Sequence, residues 1–438
     1  MSGGVSDGRR WHGALEGYYG APLAPADRLA FVRWLGTEGG TSYVYAPKHD
    51  PWQRDRWREP YPTERLDELA ELVDVGRAAG VDVGFVLSPG LDWGAGDEPA
   101  LVAKLAAFHG LGARLLGVAF DDVPAGGADL GRAHGDAVAA AVRALPDDVQ
   151  WAACPTDYAT DRVTAYLGAF AAALPPHVDV MWTGRAIVSP TVTAPETHRL
   201  GEQLGRRLVL ADNVPVNDGP MAGVLHLGPY PLRDPGIVAA TGGVLLNLMP
   251  LGRASRIGVA CGLRWWADPS SDREATWDAV VSGVPGLRPL ARAARSWLTS
   301  PGPDAELVEW AVAAYDGDTR LLDFLAAGCR AGLPDDWASE LAPWLVAWEW
   351  EAFAMAFVLH GLRAPRSGHA ELAFAVAEVQ RRLRLQEQQL FGIRHALYPV
   401  TRREDDLQVP DRAGLVTGDN LTDRICRHAL DLTLGGRS

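Results

Sequence analysis

The stretch RLLGVAFDDVP, residues 114–124, passes from an apolar segment into two adjacent acids, Asp121 and Asp122, and then reaches Pro124. Its apolar part has the length and composition of a buried β-strand. Since side chains alternate along a strand, both acids can face the same way only if Asp122 lies past the regular pleat. Pro124 supports a chain that leaves the strand there. The stretch therefore predicts a buried strand that ends in a pair of carboxylates.

Seven similar runs alternate with Ala-, Leu- and Arg-rich segments of helical period between about residues 13 and 248. Repeated βα units of this number predict an α/β fold, a (β/α)8 TIM-type barrel of parallel strands. The other predicted strands are GALEGYY from Gly13, SYVYAPK from Ser42, VDVGFVLS from Val81, VQWAACPT from Val149, DVMWTGR from Asp179, RLVLADN from Arg207 and GGVLLNLM from Gly242.

After Asp268 the strand pattern disappears, and segments such as DAELVEWAVAAY, residues 304–315, carry apolar side chains at helical spacing. The sequence thus predicts a catalytic barrel over residues 1–270 and an all-α helical bundle domain over residues 271–438. This helical region could form a homodimer. Its Trp-rich segment from Trp337 to Trp350 fits buried core, a carbohydrate platform or a protein interface.

Composition narrows the class of protein. With 55 acidic and 41 basic residues, the 438-residue chain has a formal net charge of -14, which disfavours nucleic acid and anionic membranes as partners. Residues 1–15 lack an apolar stretch, and the uncharged residues 235–252 are broken by glycines, Pro250 and Asn247, so we expect a cytoplasmic protein without a membrane span. No CxxC spacing suggests a zinc site or a disulfide framework among the cysteines Cys154, Cys261, Cys329 and Cys426.

Polar residues end most of the predicted strands. Active sites of such barrels are built at the carboxyl ends of the strands, so chemistry is expected there. Turn and helix-cap preferences would also place polar residues at these positions. The residues concerned are Lys48, Ser88, Asp121 with Asp122, Thr156, Arg185, Asn213 and Asn247.

The adjacent acids suit the cleavage of a glycosidic bond. In the ordinary retaining mechanism the two carboxyl groups flank the bond about 5 to 5.5 Å apart, whereas neighbouring Cα atoms are about 3.8 Å apart and would approach from one side. This favours a nucleophile from the substrate: the carbonyl oxygen of a 2-acetamido sugar, whose N–H Asp121 would hold. Asp122 would protonate the leaving oxygen and later accept a proton from water. A helix cap and a metal-binding pair are the alternatives for these two acids.

The order of several longer motifs resembles family 84 glycoside hydrolases, the β-N-acetylglucosaminidases that include the protein O-GlcNAcases. The resemblance covers about residues 11–270. It rests on LEGYYGAPLAPADRL, YVYAPKHDPWQRDRWREPYP, FVLSPG, VAFDDVP, CPTDY, WTGR, DNVPVND and LGPY.

The resemblance implies a retaining, substrate-assisted mechanism that uses no cofactor and no metal. It places the catalytic pair on Asp121 and Asp122. It implies substrate-binding roles for Gly17, Tyr18, Tyr19, Lys48, Cys154, Tyr158, Asn213, Asp218 and Asn247. In this scheme Tyr158 bonds the acetamide carbonyl, while Lys48, Asn213 and Asp218 hold sugar hydroxyls.

Each of these residues has a purely structural alternative. Lys48 could form a plain salt bridge, and Tyr158 could be a core tyrosine with a satisfied hydroxyl. An Asx turn could account for Asn213 and Asp218, and a buried amide that bonds the backbone could account for Asn247.

Two departures from the family pattern concern the acetyl pocket. Ala211 stands where many members have tryptophan, and Gly219 stands where a tyrosine often follows. The pocket is therefore wider, or its wall comes from elsewhere in the chain.

The leading hypothesis is an exo-β-N-acetylglucosaminidase that releases GlcNAc from proteins or other glycoconjugates. The alternatives are a weakly active or inactive GlcNAc-binding or scaffold protein and an endo-acting, hyaluronidase-like hydrolase, the latter disfavoured because an acidic chain suits a polyanion poorly.

Overall fold

The computed structural model describes residues 11–89, 92–94, 96–295, 302–328, 332–363, 369–383, 386–393, 401–403, 406–408 and 419–433. The chain forms two compact units. The first contains the described residues up to Gly219 and the segment Tyr230–Thr276, and the second contains Pro220–Pro229 and the described residues from Trp277 onwards.

The first unit is the predicted barrel of eight parallel strands. The strands pair in sequence order, and the sheet closes where Trp11 to Leu15 pair with Gly243 to Asn247. Strands β1 to β8 are Trp11–Glu16, Ser42–Tyr45, Asp82–Leu87, Leu115–Ala119, Gln150–Cys154, Asp179–Trp182, Leu208–Asp212 and Gly243–Asn247.

Helices alternate with these strands, as the βα pattern predicts. Local signals set some of their ends: Thr193 and Glu196 form a capping box at the start of one helix, and Gly205, with φ of 61°, ends it. Helices α1 to α8 are Pro25–Thr37, Thr63–Ala78, Glu98–Gly110, Ala128–Ala144, Ala165–Ala173, Ala194–Leu204, Ile237–Ala240 and Gly252–Ala267, and a 3-10 helix covers Gly219–Met221.

The barrel interior is filled by apolar side chains from all eight strands or the residues that follow them. At the closing seam the two strands approach so closely that a Cβ on Gly243, whose φ is 134°, would lie 1.7 Å from the Trp11 carbonyl oxygen. Only glycine fits there. The interior cluster consists of Trp11, Leu15, Val44, Ala46, Val86, Leu115, Ala119, Ala152, Cys154, Met181, Val209, Ala211 and Leu245.

The second unit is mainly helical, with four short strands that the sequence pattern did not predict. They pair antiparallel two by two, and each has only two or three residues, too few to show a strand period. Helices α9 to α16 are Arg273–Ser282, Arg288–Ala293, Ala305–Tyr315, Arg320–Ala327, Asp335–Glu340, Ala342–Arg363, His369–Leu383 and Leu421–Thr433; strands β9 to β12 are Gly392–Ile393, Thr401–Arg403, Asp406–Gln408 and Asp419–Asn420.

The segment Pro220–Pro229 packs with this helical unit, although the sequence analysis grouped it with the barrel because it lies between strands β7 and β8. The Leu227 N–H donates to the Ala294 carbonyl at 2.9 Å, and the Leu227 carbonyl accepts from the Trp277 indole at 2.5 Å. Such pairings between distant parts of the chain leave no mark in the local sequence pattern.

Helix α14 is the one helix in the described part of the chain that is long and apolar enough to cross a membrane. In this structure 44% of its most apolar 18-residue stretch is buried. The buried side chains of the helix include Trp344, Trp348 and the carboxylate-bearing Glu351. A buried core helix has the same length and composition, so this feature alone is weak evidence for a membrane span.

The cysteines Cys154, Cys261 and Cys426 are free and buried. Cys329, for which the sequence spacing suggested no zinc site and no disulfide framework, lies outside the described residues. Among the residues that the structure describes, no group of three His, Cys, Asp or Glu side chains is placed to hold a metal ion.

Candidate active site

The two acids lie at the carboxyl end of the barrel, directly after strand β4. The strand ends at Ala119, so both carboxylates lie beyond the regular pleat. Asp122 has a φ of 57°, a left-handed conformation that is rare for a residue with a side chain. This turn lets two consecutive side chains serve the same end of the barrel, and it leaves Asp122 exposed while Asp121 is half-buried.

Asp121 forms an ion pair with Lys48, from the segment after strand β2. The Lys48 ammonium lies 2.8 Å from Oδ1 and 2.7 Å from Oδ2 of Asp121, and it also donates to the Ser88 hydroxyl at 2.8 Å. Lys48 is 6% exposed in its side chain and Asp121 15%, so water screens this pair little. Asp121 thus carries its negative charge against a fixed cation.

Asp122 has a different set of partners, two phenol groups. Tyr19 donates to Oδ2 at 2.7 Å, and Tyr158 donates to Oδ1 at 3.2 Å. Burial, followed by the hydrogen bond to Asp122, raises the pKa of Tyr19 above its usual range. Burial and the charge of Asp122 do the same for Tyr158. Both hydroxyls therefore stay protonated and can donate at any working pH.

A polar network continues from Tyr19 around the barrel mouth. The Tyr19 N–H donates to Asp218 Oδ2 at 2.6 Å, and burial raises the pKa of Asp218. The Gly17 N–H donates to Asn247 Oδ1 at 3.1 Å, and Asn247 Nδ2 donates to Asn213 Oδ1 at 2.8 Å. These contacts bring the ends of strands β1, β7 and β8 together and present amide and carboxylate groups suited to hydroxyls.

Two small side chains of the barrel interior come from strands β5 and β7, which lead to Tyr158 and Asn213. Cys154 and Ala211 belong to the interior cluster of the barrel and keep 8% and 7% of their surface exposed, and the half-buried Tyr158 packs against the same cluster. Burial, followed by the charge of Asp121, raises the pKa of the Cys154 thiol well above its usual value. Gly219 has a φ of 53°, and a Cβ there would point into open space.

Tyr18 lies apart from this site, although the sequence analysis grouped it with Gly17 and Tyr19. Its side chain is fully buried, and its hydroxyl lies 3.5 Å from Glu16 Oε1. Glu16 is in turn held by Arg28, whose Nε lies 2.7 Å from Oε2. Adjacent residues at a strand end point to opposite sides, so only Tyr19 of this pair reaches the acids.

A buried ion pair below the site escaped the sequence analysis. Arg233 donates to both oxygens of Asp212, at 2.8 and 3.0 Å, and the Tyr230 hydroxyl donates to the same carboxylate at 2.6 Å. This group fixes the end of strand β7 directly before Asn213. The sequence shows the acid Asp212 directly before Asn213, at the start of DNVPVND. Its partner Arg233 lies 21 residues further along the chain, so the pair is not visible in the local pattern.

Comparison with known proteins agrees with this geometry. Residues 12–298 match the family model for beta-N-acetylglucosaminidase, which spans well over half of the chain. The chain belongs to this family, the family 84 glycoside hydrolases. The sequence-based resemblance is thereby confirmed.

Individual relatives share only a modest fraction of their aligned residues with this family 84 chain. The protein O-GlcNAcases of Rattus norvegicus and Mus musculus are each 27% identical over 252 residues, which cover 54% of this chain and 27% of those proteins. A mutant of the O-GlcNAc hydrolase of Thermobaculum terrenum has a similar fold, with a TM-score of 0.80 and 23% identity over 97% of this chain and 94% of that one. The matched region thus spans about a quarter of the mammalian relatives.

Proposed function

We propose that this family 84 protein is a retaining exo-β-N-acetylglucosaminidase that removes GlcNAc from proteins or other glycoconjugates. The observation that carries the proposal is the unequal environment of the two acids. Asp121 faces the Lys48 ammonium at 2.7 Å, whereas Asp122 is exposed at the mouth, and its side-chain donors among the described residues are the neutral hydroxyls of Tyr19 and Tyr158. Two carboxyl groups in different environments can take different roles.

Asp121 serves the substrate acetamide. Its carboxylate accepts the amide N–H while the acetamide carbonyl oxygen attacks C1, so the C1–O bond to the leaving group breaks as the ring of an oxazoline closes. Positive charge develops on the cyclising acetamide, and the fixed negative charge of Asp121 stabilises it. Lys48 and Ser88 hold this carboxylate in place, because the ammonium bonds both groups.

Asp122 transfers the protons. It gives its proton to the glycosidic oxygen as the bond breaks, and the resulting carboxylate takes a proton from the water that then attacks C1 and opens the oxazoline. Two displacements at C1 retain its configuration. Tyr19 stabilises the carboxylate that forms on Asp122 through its bond of 2.7 Å, and Tyr158 donates to the same carboxylate over the longer distance of 3.2 Å. All groups used in these steps belong to the chain, the substrate or water, so the proposal includes no metal and no cofactor.

The remaining site residues suit a terminal GlcNAc unit. Asn213, Asp218 and Asn247 offer amide and carboxylate groups for the sugar hydroxyls, although in this structure they bond one another and the backbone. Cys154 and Ala211 provide a small apolar floor for the acyl group. A protein-linked GlcNAc is the proposed natural substrate, by analogy with relatives named protein O-GlcNAcase.

Kinetics of three variants test the two roles. We expect Asp122→Ala to lose most kcat/KM on aryl GlcNAc substrates with weakly acidic phenols and much less on strongly acidic ones, which need little protonation. Asp121→Asn should fold normally and lose rate on both, because a neutral amide cannot stabilise the developing charge. Asp147→Ala, an exposed acid before strand β5 at the other end of the barrel, is the matched control and should change neither.

A trapping experiment separates this mechanism from direct attack by an aspartate. A covalent sugar adduct on Asp121, recovered by mass spectrometry after reaction with a slow fluorinated substrate, would overturn the proposal. So would an equal loss on both classes of phenol in Asp122→Ala. Absence of turnover with every aryl GlcNAc would instead support a binding or scaffold protein.

A cytoplasmic site of action is the remaining part of the proposal. The free thiols of Cys154, Cys261 and Cys426 suit a reducing compartment. Cell fractionation with an antibody to the chain tests it, and recovery in a membrane or secreted fraction would contradict it.

A further inference from the structure

Phe120, the residue directly before the catalytic pair, is held by hydrogen bonds through both its N–H and its carbonyl group. The Phe120 N–H donates to the Cys154 carbonyl at 2.9 Å, and the Phe120 carbonyl accepts from the Thr156 hydroxyl at 2.8 Å. Its ring is buried and stacks on His134, with ring centroids 3.9 Å apart and planes within 5°. The end of strand β4 is thus tied to the end of strand β5 and to helix α4.

Thr156 is itself held by a chain of polar groups behind the site. Its N–H donates to the Tyr166 hydroxyl at 3.1 Å, and that hydroxyl lies 2.8 Å from His134 Nδ1 and 3.1 Å from the Thr156 hydroxyl oxygen. Burial lowers the pKa of His134 to about 4, so at neutral pH its ring is uncharged and Nδ1 can accept the Tyr166 proton. The proton of the Thr156 hydroxyl then remains available for the Phe120 carbonyl.

The hydrogen bond from Thr156 to Phe120 lies close in sequence to Asp122 and to its partner Tyr158. Phe120 lies two residues before Asp122, and Thr156 lies two residues before Tyr158, which donates to Asp122 at 3.2 Å. Asp122 also has the unfavourable φ of 57°. A non-glycine residue in this conformation is strained and persists only where surrounding contacts fix it. The bond from Thr156 to Phe120 is one such contact.

We infer that Thr156 is a positioning residue for the acid: its hydroxyl, oriented by Tyr166 and His134, fixes the turn that aims Asp122 at the leaving oxygen. The inference rests on the proposed acid role of Asp122. Thr156 acts through Phe120 and does not itself reach the substrate. The competing interpretation is a buried hydrogen bond that contributes only to stability, and the two interpretations predict different dependence on the leaving group.

The test measures kcat/KM on two aryl GlcNAc substrates, one with a strongly acidic and one with a weakly acidic phenol. If Asp122 no longer points at the leaving oxygen, only the substrate that needs protonation is slowed. In Thr156→Val the kcat/KM of the substrate with the weakly acidic phenol should therefore fall about tenfold more than that of the other substrate. Thr156→Ser retains the hydroxyl and should restore the ratio. Tyr166→Phe, which removes the orienting hydroxyl, should shift the ratio in the same direction by about threefold.

Thr241→Val is the matched control. Thr241 is buried, its hydroxyl donates to the Ile237 carbonyl at 3.0 Å, and it precedes strand β8 at the opposite end of the barrel. This variant should lower the melting temperature about as much as Thr156→Val and leave the substrate ratio unchanged.

Three outcomes separate the possibilities. Equal losses on both substrates in Thr156→Val and in Tyr166→Phe would overturn the inference and leave a structural bond. If Thr156→Val does not fold, Tyr166→Phe decides by the same ratio. Asp122→Ala is measured alongside: if it too loses equally on both substrates, the acid assignment fails, whereas a large ratio change in Asp122→Ala with none in the other two variants refutes only the positioning role.

Discussion

The two tyrosines at Asp122 should affect catalysis differently, and single Tyr→Phe variants reveal this. Tyr19 donates to Asp122 at 2.7 Å, the distance of a charge-assisted bond, whereas Tyr158 at 3.2 Å lies beyond the usual range for two oxygens. In the proposed mechanism Tyr19 therefore stabilises the carboxylate that forms as Asp122 gives up its proton. Tyr158, in the proposed mechanism, contributes mainly through the acetamide carbonyl.

The distances set the expected size of the effect. Hydrogen bonds to charged groups contribute about 1.5–3 kcal/mol, and the exposure of Asp122 favours the lower value. At 1.36 kcal/mol per factor of ten, Tyr19→Phe should lower kcat/KM about tenfold on a weakly acidic phenol. Strongly acidic phenols should lose less than about threefold, because little proton transfer is needed.

The pH profile gives a second measurement of the same variant. The alkaline limb of kcat/KM on the weakly acidic substrate reports loss of the proton from the acid. Removing a donor that stabilises the charged form should move this limb to higher pH in Tyr19→Phe. Tyr158→Phe should instead lose rate to a similar extent on both phenols. Equal losses on both phenols in Tyr19→Phe, with an unmoved limb, would refute this reasoning.

Three further predictions concern the acyl group and the fold. Replacing the acetamide methyl hydrogens with fluorine should slow cleavage progressively, because the carbonyl oxygen becomes a poorer nucleophile; kcat/KM over the mono-, di- and trifluoro series checks this, and a flat series would exclude substrate assistance. The wild-type protein should accept propanamide and butanamide glycosides, and Ala211→Trp should narrow this tolerance while acetamide cleavage persists; identical acyl profiles would show that Ala211 does not line the pocket. Arg233→Met leaves the buried Asp212 carboxylate without its cation. The free energy of unfolding should therefore fall by about 3–5 kcal/mol, and the melting temperature by roughly 6–20 °C. The exposed Arg77→Met should change the melting temperature by less than about 2 °C; a similar loss in both variants would contradict the argument from burial.

Much of the fold follows from local sequence pattern. Each strand of the barrel is a short, mostly apolar run, and a segment that forms a helix separates each strand from the next, so the eight βα units can be counted without knowledge of contacts. The same pattern places Asp121 and Asp122 at a strand end, and the structure puts them there. The short strands β9 to β12 were missed, because two or three residues carry no period.

Which side chain contacts which acid was decided only by the tertiary structure. The sequence names Lys48, Tyr19 and Tyr158 as candidates, but it does not say which acid each one contacts. Lys48 follows strand β2 and Tyr158 follows strand β5, and their choice of Asp121 and Asp122 depends on the register of the barrel and on the left-handed turn at Asp122.

Side-chain direction and long-range pairing explain what the sequence left open. Tyr18 and Tyr19 are adjacent and chemically alike, yet one is buried against Glu16 and the other bonds Asp122, because successive side chains leave a strand end on opposite sides. The Arg233 partner of Asp212 comes from a loop 21 residues away. By itself the sequence determined the barrel and the location of its acids, since both follow from periods of a few residues. Which acid meets a cation and which meets neutral donors depends on contacts that exist only once the strands have closed.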